Sequence, residues 1–316
     1  MRSSEIRARS RQLAGRWRRY DPPGMLGTLA GDQFTEASIR RFVTQLRDPT
    51  MQVAMLDLLD EFILVARDEL RQRLEPLLAT VAESTGGLVA LAPLGGPGES
   101  GAYVVYSLGD VLKRHDSFEP VWIGELSTRH TALVLVDDLI WSASRTLGYL
   151  AGWMQIPLPG ASPTRPQPLP DALVRLVKSL PVTAAYAFGR SSDYAGVEAV
   201  VRGRDVQLTI MVGDSEPCTI HRWSMGRPDR DALTEELRRV GSQILMSHGF
   251  TPAAAADRAL GHSNAGLLMA TVLSTPVQTV TALSTGGFVD GRAWYPLFPR
   301  LTSHSGKLRS ISVAQN

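Results

Sequence analysis

The spacing of apolar residues changes near residue 86, and that change organises the whole sequence. Before it the period is helical. Ile6, Leu13, Trp17 and Tyr20 predict an amphipathic helix over residues 5–20, which ends at the turn Asp21-Pro22-Pro23-Gly24. Between 35 and 82, Ile39, Phe42, Val43, Leu46, Val53, Leu56, Leu59, Ile63, Leu70, Leu74 and Leu77 keep a 3.6-residue period, broken at Asp48-Pro49. Two or three further helices are expected there. After Gly86, short β-rich runs at 88–94, 121–126, 132–136, 182–188, 206–212 and 267–273 alternate with helical patterns at 102–113, 229–248 and 252–260. Alternation of this kind builds βαβ units on a parallel sheet. The runs are nearly continuous, as in strands covered on both faces.

The expected fold class is therefore α/β: a doubly wound, mostly parallel sheet of about five or six strands, with an N-terminal helical region. The domain reading is a helical region at 1–85, an α/β domain at 86–302 and a C-terminal tail at 303–316. One linker-like stretch, 157–170, carries six prolines and reads as a hood or spacer.

Composition narrows the chemistry. With 44% hydrophobic and 20% charged residues over 316 positions, the chain has an ordinary globular make-up. The single cysteine, Cys218, excludes a disulfide framework and any CxxC metal or redox motif. Lys113, Lys178 and Lys307 are the only lysines, and none lies in a P-loop, which excludes that mode of phosphate binding. The formal charge of +2 hides an asymmetry, because the first 20 residues hold seven arginines and one glutamate. A solvated helix face is the plain reading, with partner or nucleic-acid binding as the alternative. No apolar segment has the ~18 residues of a membrane span and no signal-peptide core precedes the first helix, so a cytoplasmic location is expected, with an organellar transit peptide as the minor option.

The sharpest motif is ALVLVDDLIWSASRT at 132–146. An apolar strand ends in Asp137 and Asp138, and a hydroxyl-rich turn opens a helix. Ligands of open α/β sheets bind beyond the carboxyl ends of the strands. Vicinal carboxylates suit ribose hydroxyls there, while the helix start, with Ser142, Ala143, Ser144, Arg145 and Thr146, suits a 5′-phosphate. The plainer reading is an Asp pair that caps a helix. A second motif, Gly95-Gly96-Pro97-Gly98-Glu99-Ser100-Gly101, follows the first strand, and its last six residues match G-x-G-x-x-G. A dinucleotide fingerprint needs an acid ending the next strand, and only Asp116 and Glu119 stand nearby, both ahead of that expected strand. The same glycines admit a pyrophosphate, or form a tight turn. Gly261-His262-Ser263-Asn264-Ala265-Gly266 is one residue too long for a nucleophile elbow and has a helix before it rather than a strand. The six histidines show no metal-ligand spacing. Trp294-Tyr295-Pro296-Leu297-Phe298-Pro299-Arg300 is expected to close the core as an aromatic plug, or else to present an interaction surface.

Residues 133–146 resemble the PRPP-binding signature of the type I phosphoribosyltransferase fold. The order of the GGPGESG loop, the Asp-Asp strand, GHSNAG, Thr275-Pro276 and WYPLFPR resembles more narrowly the phosphoribosyltransferase-like proteins of prokaryotic conflict and antiphage systems. The resemblance implies that Asp137 and Asp138 hold the ribose hydroxyls, directly or through Mg2+, that residues 142–146 hold the 5′-phosphate, and that Gly95, Gly96, Gly98, Ser100 and Gly101 receive pyrophosphate. It implies either phosphoribosyl transfer or, alternatively, a catalytically inactive nucleotide-sensing component of a defence system that engages a protein partner through the helical region. The sequence departs from the signature at Ala143, where glycine is usual, at the bulky Trp141, at Arg145 in the place of the closing threonine, and after Pro276, where asparagines are missing.

Overall fold

The computed structural model describes residues 3–18, 34–97, 99–141, 143–161, 166–189, 194, 196–215, 218–271 and 275–299. Three helices open the chain: α1 (Ser3–Arg18), α2 (Glu36–Val43) and α3 (Pro49–Glu61). Each of the latter two starts where its sequence provides a cap. The Thr35 hydroxyl accepts from the Ser38 amide, and Asp48 accepts from Thr50 just ahead of Pro49.

A short strand, β1 (Ile63–Val65), leads into α4 (Arg67–Thr85), which ends at Gly86 with φ of 63°. Next come β2 (Val89–Pro93), α5 (Ser100–Ser107), α6 (Gly109–Leu112), β3 (Phe118–Pro120) and β4 (Ala132–Ile140). Then follow α7 (Ser144–Met154), α8 (Asp171–Ser179), β5 (Pro181–Gly189), α9 (Val197–Arg202) and β6 (Gln207–Ser215). The chain continues through α10 (Ile220–Ser224), α11 (Pro228–Ser247), α12 (Pro252–Asp257), β7 (Met269–Thr271), α13 (Thr281–Ser284) and the hairpin β8 (Gly287–Val289) to β9 (Arg292–Trp294).

The central sheet has the order β3-β2-β4-β5-β6 and every pairing in it is parallel. The expected α/β fold is thus present, with five strands. One face carries α7, α8 and α9 over Leu133, Leu135, Val182, Ala184 and Tyr186. The other face carries α4 and α5 over Val89, Leu91, Val134 and Val136. The order reverses between β2 and β4, which makes that gap the topological switch point where such sheets bind ligands.

Several expectations are corrected. The helical period across 35–82 concealed β1, whose three residues pair in parallel with β7 outside the main sheet. The run at 267–273 therefore contributes Met269–Thr271 to a two-stranded pair and not a sixth strand. The strand expected at 121–126 lies earlier, at Phe118–Pro120. Val121 donates to Leu91 O, and the chain then turns through a 3-10 turn at Ile123–Glu125, held by Glu125 accepting from the Trp122 amide. Glu119 consequently stands inside β3, where buried His130 and Arg129 engage it, and it cannot serve as the terminal acid of a dinucleotide site. The helix expected at 102–113 begins at Ser100 and is split at Leu108, and that expected at 252–260 stops at Asp257.

A third core lies between α1–α3 and the last third of the chain. Phe298 stacks on Phe62 with centroids 4.0 Å apart, Trp17 meets Phe298 edge-on at 5.3 Å, and Trp294 meets Phe42 at 5.9 Å. The aromatic segment thus closes the core, and it joins the N-terminal helices to the C-terminal part of the chain. The position 85 expected as a boundary falls at the end of α4, which packs on β5 and β6. Of the proline-rich stretch, Leu158 and Leu169 are buried in the core under α7, and residues 162–165 lie outside the described residues, as does the tail beyond 299. Among the described residues no helix is long and apolar enough to cross a membrane.

Candidate functional site

β4 carries the site. Its first five residues are apolar and covered on both faces, and it runs on through Asp137 and Asp138 to Ile140 because Leu139 and Ile140 still pair with Phe188 and Gly189. The two carboxylates therefore sit within the strand and not beyond its end, as the sequence pattern had suggested. Here the face alternation slips. Leu133 and Leu135 lie on the α7 side and Val134 and Val136 on the other, yet Leu139 joins the far side and Ile140 the near one. A slip of this kind re-aims side chains and is common beside functional sites.

Asp137 is fully buried. Its Oδ1 accepts from Ser100 Oγ at 2.5 Å and from the Asp138 amide at 3.0 Å. Its Oδ2 has no hydrogen-bond partner but faces Arg145 Nη1 at 3.3 Å, an ion pair without hydrogen-bond alignment. Burial pushes the Asp137 carboxyl up to about 7; the Arg145 charge opposes that rise and the Asp138 charge adds to it.

Arg145 is the hub. One guanidinium nitrogen, Nη2, donates to Glu99 Oε2 at 2.7 Å and to Leu94 O at 3.3 Å, while Nη1 reaches Ser100 Oγ at 3.4 Å. The Asp137 carboxylate, and after it Glu99, holds the guanidinium charged well above its ordinary range. One helical turn on, Tyr149 donates its hydroxyl to Glu99 at 2.7–2.8 Å and lies 5.9 Å from the guanidinium. Burial, reinforced by Glu99, raises the Tyr149 phenol. Behind Asp137, Thr146 Oγ1 and Tyr186 Oη are 2.5 Å apart, and both residues are buried. The Thr146 hydroxyl thus engages the sheet.

The glycine loop owes its path to two missing side chains. Gly95 has φ of 132°, and a Cβ there would lie 2.5 Å from Glu99 Oε2. A Cβ on Gly101 would lie 2.8 Å from Leu94 N, Leu94 O and Val136 O, so its absence lets α5 start directly against β2 and β4. That contact delivers Ser100 to Asp137.

Of the residues singled out from the sequence, Gly95, Gly96, Ser100, Gly101, Asp137, Asp138, Ala143, Ser144, Arg145 and Thr146 converge at the β2–β4 gap, on the loops and helix starts that follow those strands. Gly98 and Ser142 lie outside the described residues. Ala143 occupies the N-cap of α7, and its side chain supplies no capping oxygen to the first amides of the helix. Tyr149 and Tyr186 escaped the sequence reading, and Glu99 was read only as a member of the glycine motif. The spacing of Arg145 and Tyr149, four apart on one helix face, was an available signal for one of them. Tyr186 had none, because only the register of β5 on β4 sets it beside Asp137.

A magnesium ion, implied by the resemblance at Asp137 and Asp138, is poorly accommodated at Asp137 and Glu99. Magnesium takes oxygen ligands at about 2.1 Å in near-octahedral geometry. Both Glu99 oxygens are engaged by Tyr149 and Arg145, and an ion on Asp137 Oδ2 would stand beside a guanidinium already 3.3 Å from that oxygen. At such separations like charges repel by several kcal/mol in a partly buried site. Among the described residues no group of three or more His, Cys, Asp or Glu is arranged to hold a metal.

No curated protein matches the chain significantly. The model of the PRTase-CE family, which is of phosphoribosyltransferase type, matches residues 39–300, from α2 through the aromatic closing segment. With five parallel strands, a switch-point cleft and that match over most of its length, the chain belongs to the PRTase-CE family.

Proposed function

We propose that the protein binds PRPP, or another ligand built on ribose 5-phosphate, in the cleft between β2 and β4. The observation that carries this reading is the junction of Gly95–Gly101 with Asp137–Thr146 at the switch point of a phosphoribosyltransferase-type sheet, tied by the Ser100–Asp137 hydrogen bond. The ribose sits over β4, where Asp137 Oδ2, buried opposite Arg145 in the ligand-free chain, accepts from a hydroxyl once the arginine turns to the ligand. The start of α7, through its amides and the hydroxyl of Ser144, takes the 5′-phosphate. The glycine loop offers close backbone approach to a second phosphate group. In the transferring form of this reading, the phosphoribosyl group passes from pyrophosphate to an acceptor, with the cleft stabilising charge on the departing pyrophosphate.

A second reading has a specific observation behind it. Arg145 lies across the cleft, tied to Asp137, Glu99 and Leu94 O, and a cleft closed by its own arginine suits detection of a ligand better than rapid turnover. In that reading the protein is the ligand-sensing member of an antiphage system and signals to a protein partner. Incubating the full chain with PRPP and measuring released pyrophosphate separates the two. Release at an ordinary enzymatic rate supports transfer; saturable binding without release supports sensing. Absence of both sinks the proposal.

A further inference from the structure

We propose that Arg145 takes the place of the divalent cation, so that the cleft receives its phosphorylated ribose without Mg2+. This rests on the ligand reading above but is carried by a different set of contacts. The Arg145 guanidinium spans the cleft from Asp137 on β4 to Glu99 on the glycine loop, the two acids whose oxygens converge there. Each acid is also fixed from behind by a neutral hydroxyl donor, Ser100 on Asp137 and Tyr149 on Glu99. Such an arrangement sets one fixed positive charge between two acids and leaves little electrostatic room for a second cation at Asp137 Oδ2, 3.3 Å from the guanidinium.

The same geometry equips the side chain for a phosphate. Arg145 is the second residue of α7, and its side chain is 39% exposed. Among the described residues it contacts Asp137, Ser100, Glu99 and Leu94 O, and a guanidinium, with five donors, can grip a phosphate with two parallel hydrogen bonds. An incoming phosphate at the α7 start meets one cation already in place. Neutralisation that a bound metal would otherwise bring is supplied by the chain itself, from the position that a threonine holds in the signature it resembles.

Two measurements on the full chain test this. The first is Mn2+ titration followed by the electron paramagnetic resonance of free ion. The wild type is expected to bind no Mn2+ up to about 1 mM, and Arg145→Ala to bind it at least tenfold more tightly than that; Arg145→Ala with Asp137→Asn added is expected to lose the gain. Tight Mn2+ binding by the wild type overturns the proposal, as does a folded Arg145→Ala that stays metal-free. The wild-type arm needs no variant to fold. The second is calorimetry with ribose 5-phosphate in EDTA and in 5 mM Mg2+. Affinities within twofold of each other are expected, and a tenfold or greater dependence on Mg2+ contradicts the proposal. Failure of ribose 5-phosphate to bind in either buffer counts against the ligand reading alone, because the Mn2+ result stands independently of it.

Discussion

The aromatic closure and the β2–β4 cleft are built on opposite terms. In the closure, Trp17, Phe42, Phe62, Trp294 and Phe298 pack with ring separations of 4.0–6.4 Å, and the Trp294 indole donates to Ala282 O. Polar groups inside are few and apolar area dominates, so this region adds stability. In the cleft, a fully buried carboxylate faces a guanidinium with imperfect alignment, and two glycines leave room that side chains would have filled. Burying charge in this way costs stability unless pairing is complete. The contrast teaches where to look for function: one region holds the chain together, while the other keeps polar groups in an arrangement that folding alone would not select.

Four changes separate the two regions experimentally. Phe298→Ala should cost about 3–5 kcal/mol, the usual toll of deleting a buried aromatic, as measured by urea denaturation, with ligand affinity unchanged in the folded fraction. Next comes the pH dependence of the cleft. A carboxyl with an ordinary value of 3.8 and a folded value of about 7 keeps its proton longer in the native state than in the unfolded chain. Stability should therefore fall as pH rises from about 4 to about 7, by roughly 1 kcal/mol per unit, and be level on either side of that window. Asp137→Asn should remove this slope, whereas Phe298→Ala should leave it intact. Urea midpoints across pH 4–8 decide the matter.

Arg145→Ala leaves Asp137 buried opposite no cation. Since the arginine is 39% exposed, the loss should be about 1–2 kcal/mol, greater at pH 8 than at pH 5 because only the ionised carboxylate misses its partner. Smallest is Arg9→Gln in α1. Arg9 reaches Asp57 at 2.8 Å and Asp60 at 2.5 Å near the surface, and such pairs contribute less than about 1 kcal/mol. Its effect should fade further in 0.5 M salt, which thermal unfolding at two salt concentrations will show.

Much of this was legible in the sequence, and the misses share a cause. The strands Val89–Pro93, Ala132–Ile140 and Pro181–Gly189 announced themselves as nearly continuous apolar runs because both their faces are covered, while the edge strand Gln207–Ser215 begins by alternating exposed Gln207 and Thr209 with buried Leu208 and Ile210. Ile63–Val65 did not, because three residues continuing a helical period become a strand only through pairing with Met269–Thr271, some two hundred positions away. The Arg-rich first helix was read as amphipathic with a solvated charged face, and Arg7 and Arg11 are indeed exposed, but several of its arginines also make surface ion pairs to the next two helices. Arg7 and Arg11 pair with Glu36, Arg9 with Asp57 and Asp60, and Arg16 donates to Leu59 O and Asp60 O, so the helix is clamped to α2 and α3. At the site, the Asp-Asp pair and the glycine loop were visible as local motifs. That Arg145, Glu99 and Tyr149 form one network was not, since it depends on how α7 is set against the loop after β2.

The central claim is that the β2–β4 cleft binds a phosphorylated ribose through Asp137. The most direct test is calorimetric titration of PRPP into the full chain and into Asp137→Asn, both shown to be folded by circular dichroism. Saturable micromolar binding to the wild type and at least a tenfold loss in the variant are expected. Equal affinity in the two proteins, or no heat from either, would contradict it.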